Sequence, residues 1–443
     1  GDGIGNNSDS HDDGDGLTDV QETLYGFDSL ESSDVYVDSD GDSILDIDEI
    51  LQGTDHTDAT DLIAAINTGF NHGEAFITDV THGVQDDFTF GAIVPDGNKF
   101  LFSGYYYYED DVYDDDFLLV VRVNEDGTLD STFGDDGIYY GHYDEQDGDA
   151  QFLTKTSDDG YLVSATYNDN GAIILALTSD GEIDTSKFTD GIRTTPGFRG
   201  YMSVAIEASS GDYYIGGGFV DADGHGYVGK YDSAGELDTT FAGDGTFNFD
   251  FNSGNGGEHL THMFEKSTGN ILVFFRVSGS LHAFELTTAG ELNTDFGNNG
   301  YIEIGAFDDM VLLSDDRFAV LSDTNQDDLQ LTVYASNGTL DTGFGAEGVF
   351  EYQSEGIEFE ALNVFEQANG TLIIASNFES NALRGMQLVQ VTSDGDLDTR
   401  LNGLGYSRAV FDEQTDFKGA TQLDSHHVAF AGEHADNYYE ATI

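Results

Sequence analysis

Asp126-Gly127-Thr128-Leu129-Asp130-Ser131-Thr132-Phe133-Gly134, closed by Gly137, is one unit of a phrase that recurs along this chain. Close copies run Leu237-Asp238-Thr239-Thr240-Phe241 to Gly245 and Leu340-Asp341-Thr342-Gly343-Phe344 to Gly348. Looser ones are Leu292-Asn293-Thr294-Asp295-Phe296 to Gly300, Ile183-Asp184 to Phe188 and Gly191, and Leu397-Asp398-Thr399-Arg400-Leu401 to Gly405. A further copy, Ile66-Asn67-Thr68-Gly69-Phe70 to Gly73, stands near the front. A period of roughly 40–60 residues is the mark of propellers and arrays.

A second phrase alternates with the first. Val94-Pro95-Asp96-Gly97-Asn98-Lys99-Phe100, Ser157-Asp158-Asp159-Gly160-Tyr161 and Ala368-Asn369-Gly370-Thr371-Leu372 place polar turns between apolar runs. Asp-Gly and Asn-Gly accept the positive φ of tight hairpins, so each marks two antiparallel strands. A third apolar run follows each hairpin, then the Leu-Asp-x-x-Phe turn, then a fourth strand such as Ile138-Tyr139-Tyr140. Four short strands per unit, repeated radially, describe a propeller blade.

The last unit ends with its third strand, Tyr438–Ile443, and has no turn or fourth strand after it. The missing pieces stand at the front, in Ile66–Gly73 and Glu74–Thr78. The expected architecture is therefore an all-β, seven-bladed propeller over residues 62–443, closed by an N-terminal strand that completes the C-terminal blade. Such closure pairs a strand edge otherwise open to another chain. An open solenoid or two separate sandwiches leaves those complementary ends unexplained.

The phrase resembles the delta-60 repeat family of bacterial proteins, whose units carry a Pro-Asp-Gly-Lys-like hairpin and a Gly-x-Leu-Asp-x-x-Phe-Gly turn. The resemblance spans about Ile63 to Ile443 and implies a surface or secreted bacterial protein. It brings no catalytic residues.

Acidic residues number 86 against 14 basic ones, for a formal charge of −72. Nucleic acid and anionic membrane are excluded as partners by such a surface. Hydrated carboxylates under screening suit a salty medium, and the same carboxylates can load cations. With no Cys there is neither a disulfide framework nor a thiolate metal site. The core falls to 32 Phe, 23 Tyr and the aliphatic strands, without Trp. No apolar run is long enough to cross a membrane as a helix. The chain opens at Gly1 inside a motif, which is expected of a mature or trimmed fragment with its targeting region upstream.

Residues 1–61 differ in texture: rich in Asp and Gly, without strand alternation. From Asp38 to Glu49, carboxylates fall at loop positions 1, 3, 5, 9 and 12 (Asp38, Asp40, Asp42, Asp46, Glu49), and Ile44 offers a carbonyl at 7. Calcium takes six to eight oxygens, and this odd spacing wraps a short loop around it. An upstream copy offers Asp13, Asp15, the Leu17 carbonyl, Asp19 and Glu22, with His11 at the first position. Both loops resemble the bacterial form of the thrombospondin type 3 repeat, in which Gly-Thr-Asp follows, here Gly53-Thr54-Asp55. That resemblance implies Ca2+ held by these residues, in a stalk that is compact when loaded. The competing reading is an acidic linker without fixed structure. Without metal, carboxylate pairs 4 Å apart repel by about 1 kcal/mol even in water.

On the propeller, the loops between second and third strands share one face with those leading to the next blade, and these vary. The run Tyr105, Tyr106, Tyr107, Tyr108 and Tyr113, interleaved with Glu109 to Asp116, suits a glycan or protein ligand, because tyrosine stacks on sugars and is enriched at interfaces. The alternative is a long hairpin end whose alternate rings pack on the neighbouring blade. Arg193, Arg199, Arg384, Arg408 and Lys418 fall in or beside the same loops, as acid-sugar contacts or scattered ion pairs. No His-Glu-x-x-His, Gly-x-Ser-x-Gly or phosphate loop occurs. His259 and His262, three apart on an inner strand, point to opposite faces by alternation. The sequence thus favours an extracellular, cell-surface calcium-binding structural or adhesion module, part of a longer chain or assembly. The alternative is a carbohydrate-active enzyme with a carboxylate pair in the central pocket. An acid pair converging there favours the enzyme, whereas a channel filled by side chains favours the module.

Overall fold

The computed structural model describes residues 77–78, 88–109, 114–124, 126–141, 148–167, 171–188, 190–194, 203–218, 225–250, 259–324, 328–354, 357–379, 384–401, 404–411, 415–422, 428–435 and 439–442, with Tyr25, Phe27, Leu30, Ser39, Asp46 and Thr57. After β1 (Ile77–Thr78), blade 1 comprises β2 (Phe88–Asp96), β3 (Lys99–Glu109), β4 (Asp114–Val123) and β5 (Ile138–Gly141). Blade 2 holds β6 (Gly148–Lys155), β7 (Tyr161–Tyr167), β8 (Gly171–Leu177) and β9 (Ile192–Thr194). Blade 3 holds β10 (Ser203–Glu207), β11 (Tyr213–Gly218), β12 (Gly226–Tyr231) and β13 (Thr246–Phe249). Blade 4 holds β14 (His259–Glu265), β15 (Ile271–Val277), β16 (Ser280–Leu286) and β17 (Tyr301–Gly305). Blade 5 holds β18 (Asp309–Leu312), β19 (Phe318–Thr324), β20 (Asp328–Tyr334) and β21 (Val349–Gln353). Blade 6 holds β22 (Glu358–Glu366), β23 (Leu372–Glu379), β24 (Arg384–Val391) and β25 (Tyr406–Phe411). The chain ends with β26 (Thr415–Gln422), β27 (Val428–Ala435) and β28 (Tyr439–Thr442).

All pairings are antiparallel, and the sheets are four-stranded. Six blades are each made from four consecutive strands. Of the seven blades expected, six are of this kind; the remaining four-stranded sheet is composite, with β26, β27 and β28 joined by β1 through Ile77↔Thr442 and Thr78↔Ala441, as an N-terminal strand completing the C-terminal sheet requires. Of the front segment expected to supply its turn and fourth strand, 66–78, only Ile77–Thr78 lies among the described residues.

The first strands of successive blades approach one another as β2–β6–β10–β14 and β18–β22–β26, and β26 returns to β2. Blades 4 and 5 meet through longer side chains, Phe274 against Phe318 with centroids 5.3 Å apart. Leu272, Phe296 and Met310 complete that cluster. Burying one such ring contributes about 1.5–3 kcal/mol.

The repeated turn is the joint between blades. Its Phe lies against a turn glycine of the following blade: a Cβ on Gly181 would stand 2.9 Å from the Phe133 ring, and one on Gly290 would stand 2.9 Å from Phe241. Gly235 meets Phe188, Gly338 meets Phe296 and Gly395 meets Phe344 in the same way. The residue after the Phe then donates its N–H across the joint, Gly134 to the Asp180 carbonyl at 2.8 Å and Gly297 to that of Asn337 at 2.7 Å. The turn's Leu packs on its closing Gly, as Leu129 does on Gly137. Leu, Phe and both glycines of the phrase are thus fixed by packing.

Candidate functional site

In the inner strands, hairpins close when Thr156, Ala208, Lys266, Leu313 and Gln367 donate N–H to Gly160, Asp212, Asn270, Arg317 and Thr371. At one fixed distance ahead of each hairpin stand Phe152, Val204, His262, Asp309 and Asn363. The register slips just before Phe152, His262 and Asn363, and again in β2 and β26. A bulge at this level re-aims a side chain, a device common beside functional sites.

Asp309 is the centre of the layer. Its Oδ2 accepts from Val364 N–H at 2.9 Å and Asn363 Nδ2 at 3.2 Å. Asn363 Oδ1 accepts in turn from Ala420 N–H at 2.6 Å, so blades 5 and 6 and the composite sheet are tied in sequence. His262 Nε2 stands 3.8 Å from Asp309 Oδ1, beyond hydrogen-bond reach. Phe152 of blade 2 meets the His262 ring edge-on at 6.0 Å, spanning blade 3. Side chains of non-adjacent blades therefore meet at this level.

Burial pushes Asp309 up to about 7, against the hydrogen bonds from Val364, Met310 and Asn363 that favour its charged form. Burial also raises neighbouring Asp308 to about 6, with Asp323 and Glu360 adding repulsion. His262 is pushed down to about 4 by burial alone. Two raised carboxyls are what an acid–base enzyme needs, but these diverge. Asp308 accepts from Asp323 N–H on β19 at 2.7 Å, whereas Asp309 is bonded to β22. Adjacent residues on an extended chain face opposite ways.

The expectation that His259 and His262 oppose each other is corrected by the slip between Leu260 and His262. Their partners, Arg276 and Phe274, are two apart, so the imidazoles share a face. Among the described residues no group of three or more His, Asp or Glu is placed to hold a metal ion.

Tyr105, Tyr106, Tyr107 and Tyr108 belong to a strand, not a loop. They pair with Leu118, Phe117, Asp116 and Asp115, and Glu109 pairs with Asp114. Tyr105 is half-buried. Tyr113 lies outside the described residues. Of the expected calcium ligands, Asp46 is described: it is buried and accepts from Ser39 N–H at 2.8 Å and Ser39 Oγ at 2.5 Å. Asp13, Asp15, Leu17, Asp19, Glu22, Asp38, Asp40, Asp42, Ile44 and Glu49 lie outside the described residues.

Basic residues serve the repeated turns more than the loops. Asp130 accepts from Thr132 N–H and Oγ1, Lys99 Nζ at 2.6 Å and Arg122 Nε at 2.7 Å. Arg122 reaches on to the Ser179 carbonyl of blade 2, and Tyr161 of that blade donates to Asp96 of blade 1 at 2.7 Å. The same office falls to Lys187 with Asp158, Lys230 with Asp212 and Asp238, Arg317 with Asp315 and Asp341, and Arg400 with Asp398. Sequence reasoning missed these partners. The available signal was the constant spacing between the last residues of the third strand and the turn Asp, as in Arg122/Asp130 and Lys230/Asp238. Of the cations expected at variable loops, Arg384 pairs with exposed Glu379 at 2.5 Å, and Arg193 stacks on Tyr231 at 4.7 Å. Lys418 is exposed on β26, Arg199 lies outside the described residues, and Arg408 is buried within blade 6 rather than in a loop.

The family model described as "Domain of unknown function (DUF5122) beta-propeller" matches residues 116–133 and 367–400. No curated protein matches. Among solved structures, a protein from Lactobacillus plantarum is 12% identical, with 78% of this chain and 95% of that one covered at a TM-score of 0.42. The WD40 domain of Toxoplasma gondii coronin is 10% identical, with 83% and 85% covered at 0.41. The WD40 domain of SCAP from fission yeast is 8% identical, with 83% and 97% covered at 0.38. At these scores the three carry no argument about function. The chain is an all-β propeller of four-stranded antiparallel blades, with two segments matching a propeller family of unknown function.

Proposed function

We propose that this chain is an extracellular binding or adhesion module: a seven-bladed head, closed by its N-terminal strand, carried on a calcium-binding leader at the bacterial surface. The observation that carries the reading is how the polar groups are used. Of the raised carboxyls, Asp309 is tied to blade 6 through Val364 N–H and Asp308 is tied within blade 5 to Asp323 N–H, while Phe152 of blade 2 meets His262 of blade 4. The buried cations Arg122, Lys187 and Lys266 neutralise carboxylates in or beside the turns, Asp130, Asp158 and Glu285. What remains for a ligand is the far end of blade 1, whose β3 has 11 residues and β4 has 10, against 7 each for β15 and β16 of blade 4. That ladder sets Tyr107 opposite Asp116 and Tyr108 opposite Asp115. Tyrosines and acidic residues in register on this ladder suit, by their chemistry, a neutral glycan or a protein partner. Binding of labelled polysaccharides to the chain and to Tyr107→Ala/Tyr108→Ala tests this. Loss in the double variant with unchanged melting supports the reading, and equal binding removes the ladder from it.

The alternative, a carbohydrate-active enzyme, has Asp309 in its favour as a carboxyl neutral enough to donate a proton. Reducing-end release from the same polysaccharides, abolished by Asp309→Asn, would establish it.

A further inference from the structure

Four cations are buried among the described residues: Arg122, Lys187, Lys266 and Arg408. The first three each meet a carboxylate, at 2.7 Å (Asp130), 2.8 Å (Asp158) and 2.7 Å (Glu285). Among the described residues Arg408 meets no carboxylate. A guanidinium remains charged in proteins, and an uncompensated buried charge is strongly unfavourable.

Among the described residues, the surroundings of Arg408 supply donors but no counter-charge. Ser376, Gln387 and Arg408 are cross-strand partners in one row over β23, β24 and β25, with Cβ neighbours about 4.5–5.5 Å apart. Ser376 and Gln387 are fully buried, and Arg408 is 8% exposed. Gln387 Oε1 accepts from Arg408 Nε at 2.6 Å, which leaves its Nε2 as a donor. Gln387 Nε2, Arg408 Nη2 and Ser376 Oγ have no partner. The guanidinium faces are covered by Tyr406 at 4.7 Å and Phe378 at 5.3 Å. Those contacts offset part of the charge through the ring faces but leave the in-plane N–H groups unmet. Opposite, blade 5 presents Leu329, Leu331, Phe350 and Tyr352, which share the apolar cluster with Phe378, Val389 and Tyr406. That wall brings no carboxylate.

We propose that Arg408, Gln387 and Ser376 form a buried site for one small monovalent anion, a halide, between blades 5 and 6. The anion supplies the charge that Asp130, Asp158 and Glu285 supply elsewhere, and it accepts from the guanidinium and amide N–H groups in one plane. A weakly hydrated halide suits donors walled by aromatic and aliphatic groups. Larger oxyanions demand more acceptor contacts than three donors satisfy.

The test is thermal melting of the full chain in sodium chloride, sodium bromide and sodium gluconate at equal ionic strength and fixed calcium. Chloride and bromide are expected to raise Tm by about 2 °C over gluconate, as ligand linkage requires. Gln387→Glu provides a resident carboxylate, so its Tm in gluconate should rise and its halide dependence vanish. Equal halide shifts in wild type and Gln387→Glu would overturn the site as a general salt effect. No halide shift in the wild type would also overturn it, because water then meets these donors. Should Gln387→Glu not fold, anomalous diffraction from bromide-grown crystals of the wild type decides: a peak beside Arg408 Nη2 supports the site, and none refutes it.

Discussion

Glu285 and Asn293 answer one another. The third strand of blade 4 carries an acid where blade 1 has Arg122, and its turn carries an amide where the repeat has Asp. Asn293 Nδ2 donates to Glu285 Oε1 at 2.9 Å, and Lys266 Nζ holds Oε2 at 2.7 Å. The charge at the turn is conserved by trading places rather than by keeping residues.

Asn293→Asp should therefore destabilise, although it restores the repeat's own residue. It sets a second carboxylate against buried Glu285 and costs about 2 kcal/mol. Urea denaturation measures this, and pairing it with Glu285→Gln should return most of the loss.

The joint between blades makes a paired prediction about glycine. Gly290 has φ +80°, and a Cβ there would stand 2.5 Å from Ala242 N. Gly211 has φ +81° and nothing within 4 Å. Gly211→Ala should cost only the left-handed backbone penalty, about 1–2 kcal/mol. Gly290→Ala should cost clearly more, because it also separates two blades. Equal losses in melting experiments would show that the Phe241 contact contributes nothing.

Stability should peak in weak acid. Asp309 and Asp308 have raised values, so their stabilising contribution is complete below the ordinary carboxylate range and is lost as pH rises towards about 7 and 6. Asp130 and Asp158 are held low, largely by Lys99 with the Thr132 bonds and by Lys187; their contribution is present above about pH 4 and lost on further acidification. His262, pushed down to about 4, adds to the acid loss between about pH 6.5 and 4. Asp309→Asn should flatten the limb between about pH 4 and 7 while leaving the acid limb in place, as read by Tm across pH.

The blade architecture was legible because Leu, Phe and Gly of the phrase are fixed by packing between neighbours, which leaves them little freedom to vary. The hairpins were legible because Gly97, Gly211, Gly269 and Gly370 carry positive φ. Charge partners were not, since Arg122 and Asp130 meet through a turn whose geometry alone brings them together. The bulges were hidden for another reason: the extra residue at Thr261 changes facing only once its partner strand is known, and this misplaced His259 relative to His262. The tyrosine run looked like a loop because its carboxylates resemble turn composition, whereas blade 1 extends its ladder through them.

The proposal that residues 1–61 bind calcium independently of the head is tested most directly by calorimetric titration with Ca2+. The full chain is set against the variant Asp38→Asn/Asp40→Asn/Glu49→Gln, with melting followed in parallel. Calcium heat that falls in the variant, with the propeller melting unchanged, is the result predicted. Undiminished binding in the variant, or a head that melts far lower without calcium, would contradict it.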